Sequence, residues 1–118
     1  MADEFPQRIE KPWGFELLLA HTAKYTSKLI FVRGGYRLSL HSHKKKDESV
    51  YLYKGKALIE IEGSDGQLVQ SVAQAGYCFR IHPLTKHRLK ALEDITLFEV
   101  STPELEDIER LEDDYGRV

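Results

Sequence analysis

Apolar residues recur along this chain in short runs, each broken by polar or turn-forming residues, and several of the runs alternate. Ala57-Leu-Ile-Glu-Ile-Glu62 alternates most clearly, which places Ala57, Ile59 and Ile61 on one face of a strand and Leu58, Glu60 and Glu62 on the other. Segments rich in β-branched, aromatic and Leu residues predict further strands, giving 15–20, 26–33, 36–42, 49–53, 57–62, 67–72, 78–81, 87–92 and 95–101 in all. Gly34–Gly35, Gly55, Gly63–Gly66, Gly76 and Pro83 punctuate them, and Ser64-Asp-Gly66 suits a hairpin turn. Many short strands with closely spaced turns predict an all-β fold, an antiparallel sandwich or barrel. Residues 1–10 read as a polar N-terminal arm.

The pattern changes near the C-terminus. Thr102 can cap a helix that begins at Pro103, with Glu104, Glu106 and Asp107 in its first turn. Leu105, Ile108 and Leu111 then fall at helical spacing, so 103–118 predicts a short C-terminal helix and tail lying over the barrel.

Composition narrows the picture. A chain of 118 residues with 42% hydrophobic content forms one domain, taken as 1–118. The formal charge of −2 gives no general attraction to nucleic acid or to an anionic membrane. A single cysteine, Cys78, excludes an intramolecular disulfide framework, and it is expected to be a buried small apolar residue. No basic-then-apolar leader is present at the start, and no apolar run approaches the ~20 residues of a bilayer span. On these absences the expected location is cytoplasmic.

The chemistry concentrates in one stretch, Gly35-Tyr-Arg-Leu-Ser-Leu-His41-Ser-His43-Lys-Lys-Lys-Asp-Glu48-Ser-Val-Tyr-Leu-Tyr-Lys-Gly55. In a strand, residues two apart project to one face with Cα atoms roughly 6.6 Å apart. Two imidazoles so placed can converge on an ion about 2 Å from each ring nitrogen. Glu48 opens the next strand, and a hairpin can bring it back beside the pair. Another ligand must come from elsewhere, and His82 and His87 both flank the Pro83 turn. Imidazoles with one carboxylate suit one divalent transition metal, Zn, Mn, Fe or Ni, rather than Ca.

This stretch resembles the first cupin motif, G(X)5HXH(X)3,4E(X)6G, through Gly35, His41, His43, Glu48 and Gly55. The second motif, G(X)5PXG(X)2H(X)3N, is met in part. Gly76 and His87 have its spacing, while His82 and Ala91 stand where it has Pro and Asn. The resemblance implies a cupin jelly-roll β-barrel with His41, His43, Glu48 and His87 as metal ligands, His82 being the competitor for the last place. Over 11–117 the chain is also similar to the type II mannose-6-phosphate isomerase domain. The resemblance is carried by Lys11-Pro-Trp-Gly-Phe-Glu16, Arg37-Leu-Ser-Leu40 and Asp107-Ile-Glu-Arg-Leu-Glu-Asp-Asp-Tyr-Gly-Arg117. His41 stands where that family commonly has Gln, and Ser49 and Val50 replace an aromatic residue and a His.

That likeness implies aldose–ketose isomerisation of a sugar phosphate or related carbohydrate. Two alternatives within the cupins are an iron-dependent oxygenase and a non-catalytic sugar-binding module. Glu99 matches a glutamate of the family's last barrel strand and is the candidate base, against the plainer reading of a glutamate on the solvent side. Arg37 shares strand parity with His41 and His43, so it is expected to face the same cavity as a substrate-binding group, or else to pair with a nearby acid. Arg117, in the terminal Tyr-Gly-Arg, is the second substrate-binding candidate. Lys44–Lys46 reads as a solvated loop bordering the barrel mouth. A homodimer is expected by likeness to small cupins, with Trp13 and the first strands in the contact.

Overall fold

A computed structural model describes residues 4–118, among which the alternating pattern resolves into eleven strands. They are β1 (Gln7–Lys11), β2 (Gly14–His21), β3 (Thr26–Val32), β4 (Leu40–Ser42), β5 (Glu48–Lys54), β6 (Lys56–Glu62), β7 (Leu68–Gln74), β8 (Cys78–Ile81), β9 (His87–Ala91), β10 (Ile95–Ser101) and β11 (Glu109–Glu112). All pairings are antiparallel, in one sheet ordered β1-β2-β3-β10-β5-β8 and a second ordered β11-β4-β9-β6-β7. The core lies where the inner faces meet: Ile30, Val32, Leu52 and Leu97 from the first sheet, Ala57, Ile59, Leu89 and Ala91 from the second. Burying a side chain such as Leu52 contributes about 1.5–3 kcal/mol.

Strand alternation decides what faces inward. On β5 the inner residues are Glu48, Val50 and Leu52; on β10 they are Ile95, Leu97, Glu99 and Ser101. Their outer-face neighbours Tyr51, Tyr53 and Val100 are exposed, so the two tyrosines share the surface. Gly55, between β5 and β6, has φ +95°, and a Cβ there would lie 2.3 Å from the Asp94 carbonyl oxygen; only glycine fits this turn.

Four expectations are corrected. Residues 103–118 form no helix: the segment runs extended, and β11 pairs with β4, covering the edge that this three-residue strand would otherwise leave open. Ile108, itself 38% exposed, and Arg110 line the cavity while Glu109 does not, a spacing of two that the helical reading of Leu105, Ile108 and Leu111 masked. The described part of the expected polar arm contains β1, an edge strand laid on β2 with the Arg8 guanidinium 3.9 Å over the Phe15 ring; residues 1–3 lie outside the described residues. Cys78 is exposed, because it starts an edge strand. Trp13 is 2% exposed and packs in this chain's own core, which leaves no ring surface for a second copy.

Candidate metal centre

Three histidines from two neighbouring strands meet inside the barrel. His41 and His43 project from β4 and the residue just beyond it, two positions apart. His87 opens β9 directly opposite His41 in the ladder. Ring centroids are 4.3 Å apart for His41 and His87, 5.0 Å for His41 and His43, and 5.4 Å for His43 and His87. One ring nitrogen of each lies within 4.8 Å of the others. Glu48, the first residue of β5, reaches in from the other sheet, its two oxygens 3.6 Å from His43 Nε2 and His87 Nε2.

The hydrogen bonds fix which nitrogen faces the centre. His41 Nδ1 donates to the Ser39 carbonyl at 2.9 Å, His87 Nδ1 to the Thr85 carbonyl at 2.9 Å, and His43 Nδ1 to the Asp107 carbonyl. A carbonyl only accepts, so each Nδ1 carries the proton and each Nε2 presents a lone pair. Backbone carbonyls that hold ligand imidazoles in this tautomer are the usual outer support of a metal site. Burial pushes the His41 pKa down to about 2 and that of His87 down to about 4, so both rings are neutral near pH 7. His43 Nε2 and His87 Nε2 are buried with no hydrogen-bond partner among the described residues, an arrangement that costs energy unless something accepts those lone pairs. A divalent transition metal does so, and three imidazoles with one carboxylate are a donor set that fits it. His82 is exposed and stands apart from this group.

Two further charged groups adjoin the histidines. Glu99, 6% exposed on the inner face of β10, forms an ion pair with Lys46 at 3.0 Å, and the same ammonium lies 3.1 Å from Glu48. Burial alone lowers the Lys46 pKa, but the charges of Glu99 and Glu48 more than offset it and hold the pKa above the ordinary lysine value. Lys46 is the residue that sequence reasoning missed, since Lys44–Lys46 reads as a solvated run. The signal that would have separated them lies far along the chain: the Asp107 carboxylate accepts the backbone N–H groups of Lys44, Lys45 and Lys46 at 3.0, 2.7 and 2.9 Å. That cradle turns the loop so that Lys44 and Lys45 are exposed and Lys46 points inward.

The two arginine candidates part company. Arg117 lines the cavity and is held by Asp113 at 2.8 and 2.9 Å. Arg37 does not line it; its guanidinium forms a bidentate pair with Asp114 at 2.6 and 2.8 Å on the outside. Strand parity failed there because residues 37–39 are not part of β4, and Arg37 makes only an isolated bridge to Lys90. The cavity itself has a volume of about 150 Å³, on the scale of a small molecule.

Comparison with known proteins agrees with this architecture. The structure is similar to that of KdgF from Halomonas sp., with 22% identity, TM-score 0.74 and coverage of 85% of this chain and 88% of that one. It is also similar to a Bacillus subtilis oxalate decarboxylase with Mn(II) centres, at 23% identity and TM-score 0.76. A Lactobacillus farciminis oxalate decarboxylase in a formate complex follows at 19% identity and TM-score 0.74. The chain covers only 30% and 33% of these two decarboxylases, with 89% of its own length matched in each. At such identities the likeness is one of fold. No curated protein matches the chain in sequence. The family model described as mannose-6-phosphate isomerase C-terminal matches residues 2–113, nearly the whole chain. With that match added to the two-sheet barrel and its three inward histidines, the chain belongs to the mannose-6-phosphate isomerase C-terminal family of cupins.

Proposed function

We propose that this protein is a metal-dependent aldose–ketose isomerase acting on a sugar phosphate of the mannose 6-phosphate type or a related carbohydrate. The observation that carries the reading is a buried carboxylate, Glu99, in the same cavity as three metal-competent imidazoles and Glu48. His41, His43, Glu48 and His87 would hold one divalent ion, Zn, Mn, Fe or Ni. When bound, that ion supplies a Lewis acid for the sugar oxygens and lowers the cost of negative charge on the carbonyl. Glu99 is the base that takes the proton from the carbon next to the carbonyl and returns it to the former carbonyl carbon; in between, the carbonyl oxygen gains a proton to give a cis-enediol, and the adjacent hydroxyl releases one as the new carbonyl forms. Lys46 holds the Glu99 carboxylate in place, and the apolar wall of Leu97, Ile59 and Leu89 limits water around the reacting carbons. Arg117 contributes a cation toward the substrate phosphate. A cytoplasmic homodimer completes the proposal.

The test is NMR in deuterated water, with the full chain reconstituted with metal and offered hexose and pentose phosphates. Deuterium should appear at carbon 1 or carbon 2 of one sugar. Glu99→Gln should keep metal stoichiometry while exchange falls roughly 10²–10⁴-fold, the usual contribution of a positioned base. Fully loaded protein that labels no sugar phosphate would overturn the isomerase reading.

A further inference from the structure

One wall of the cavity is basic for reasons that the metal centre does not explain. Arg110 lies directly opposite His41 in the β11–β4 ladder, so both side chains leave the sheet on the same face, a few ångströms apart at their roots. Arg110 lines the cavity, and its Nε is buried without a hydrogen-bond partner among the described residues. Lys11, the last residue of β1, lines the same space. Lys28 and Arg117 line it too, but each already has a counter-ion: Glu16 at 3.3 Å for Lys28 and Asp113 at 2.8 Å for Arg117. Lys11 and Arg110 have no such ion pair among the described residues.

Burial lowers the Lys11 pKa, and the charges of Lys28, Arg117 and Arg110 push it the same way against Glu16. Like charges gathered in a partly desolvated cavity repel one another and destabilise the fold unless an anion enters among them. A half-buried guanidinium whose Nε–H is buried and idle offers a planar fork that matches the two oxygens of a phosphate or carboxylate.

We infer that Arg110 and Lys11, flanked by Lys28 and Arg117, form an anion subsite beside the metal centre that receives the phosphate or carboxylate of the ligand. The inference deepens the proposed function and rests on it for the polyhydroxyl part of the ligand. The anion itself is read from the basic wall. The arrangement gives the cavity two handles: the histidine cluster for neutral sugar oxygens and Arg110 for the charged end. Discrimination against the uncharged sugar follows, because an uncharged ligand leaves the Arg110 Nε–H buried and idle.

The test uses the full chain carrying one zinc per chain and ligands that lack a carbonyl, so that no turnover intervenes. Sorbitol 6-phosphate, gluconate, inorganic phosphate and neutral sorbitol are titrated by calorimetry. Both sugar-derived anions should bind more tightly than sorbitol, and the stronger of the two identifies phosphate or carboxylate as the preferred group. Arg110→Gln should weaken the anions at least tenfold and sorbitol little, with zinc stoichiometry unchanged. Lys11→Gln, at a strand end where folding is least at risk, should weaken them in the same sense. Anion affinities unchanged in both variants, or sorbitol binding as tightly as its phosphate, would overturn the subsite. Anion binding that depends on Arg110, in protein that exchanges no deuterium into sugars, would sink the isomerase reading and leave the subsite standing.

Discussion

Lys46 places one positive charge between two buried carboxylates, and that position determines how the centre responds to losing it. Lys46→Met leaves Glu48 and Glu99 facing each other without compensation. Breaking a buried ion pair from one side costs about 3–5 kcal/mol. A divalent ion at the histidines supplies replacement charge, so thermal denaturation should show a large fall in Tm for metal-free protein and a smaller one after metal loading. Equal losses in the two states would contradict the arrangement. At this scale the sequence was informative where side chains lie on regular strands. His41, His43 and Glu48 were legible from spacing, and the structure brings them together with His87. Lys46 was not, because in a loop no period fixes direction, and its inward turn depends on Asp107, sixty-one residues away in the chain.

The segment between β10 and β11 does more than close the barrel. It carries Asp107, which gathers three loop amides through its carboxylate and accepts the His43 Nδ1–H through its backbone carbonyl. Those amides hold the Asp107 pKa down to about 2, so the cradle is intact across the neutral range. Asp107→Ala should speed hydrogen exchange at the amides of Lys44–Lys46 and weaken metal binding, with exchange in the middle of β10 unchanged. Exchange at those three amides as slow as in the parent chain would contradict the cradle. The same segment is where element prediction failed. Thr102, Pro103 and the following acids are good helix-start signals, yet local preference is weak beside the gain from pairing an open strand edge and covering the cavity with Leu105 and Ile108. β8 and β10 were legible to the residue, since their flanking turns are marked by glycine, proline or acidic residues and their tertiary partners agree with the local pattern.

Across the whole molecule the inner faces run from apolar to polar. Leu52, Val50 and Glu48 descend β5 in step with Ile95, Leu97, Glu99 and Ser101 along β10. The alternation was readable, whereas the joining of the polar ends into one cavity with β4 and β9 came only from the sheet order. The buried imidazoles also give the molecule a pH dependence. His41 and His87 are held by burial at about 2 and about 4, below the ordinary 6.5, so from pH 6.5 downward the unfolded chain binds more protons than the folded one. Stability therefore declines as pH falls from about 6.5 toward 4, where His87 begins to protonate in the folded state, with the His41 share still falling toward 2. The depressed Asp107 adds a loss of the same sign only below its ordinary value of 3.8. Chelator-treated protein should have a clearly lower Tm at pH 4.5 than at pH 7.5, and bound metal should widen the gap because protons compete for its ligands. A flat Tm over that range would contradict the buried neutral histidines.

The central claim, one divalent ion held by three imidazoles and Glu48, is tested most directly by anomalous X-ray diffraction from crystals of the zinc-loaded protein. The account predicts a single strong peak per chain about 2.0–2.2 Å from Nε2 of His41, His43 and His87 and from a Glu48 oxygen. Zinc located elsewhere, or no peak among these side chains at full loading, would contradict it.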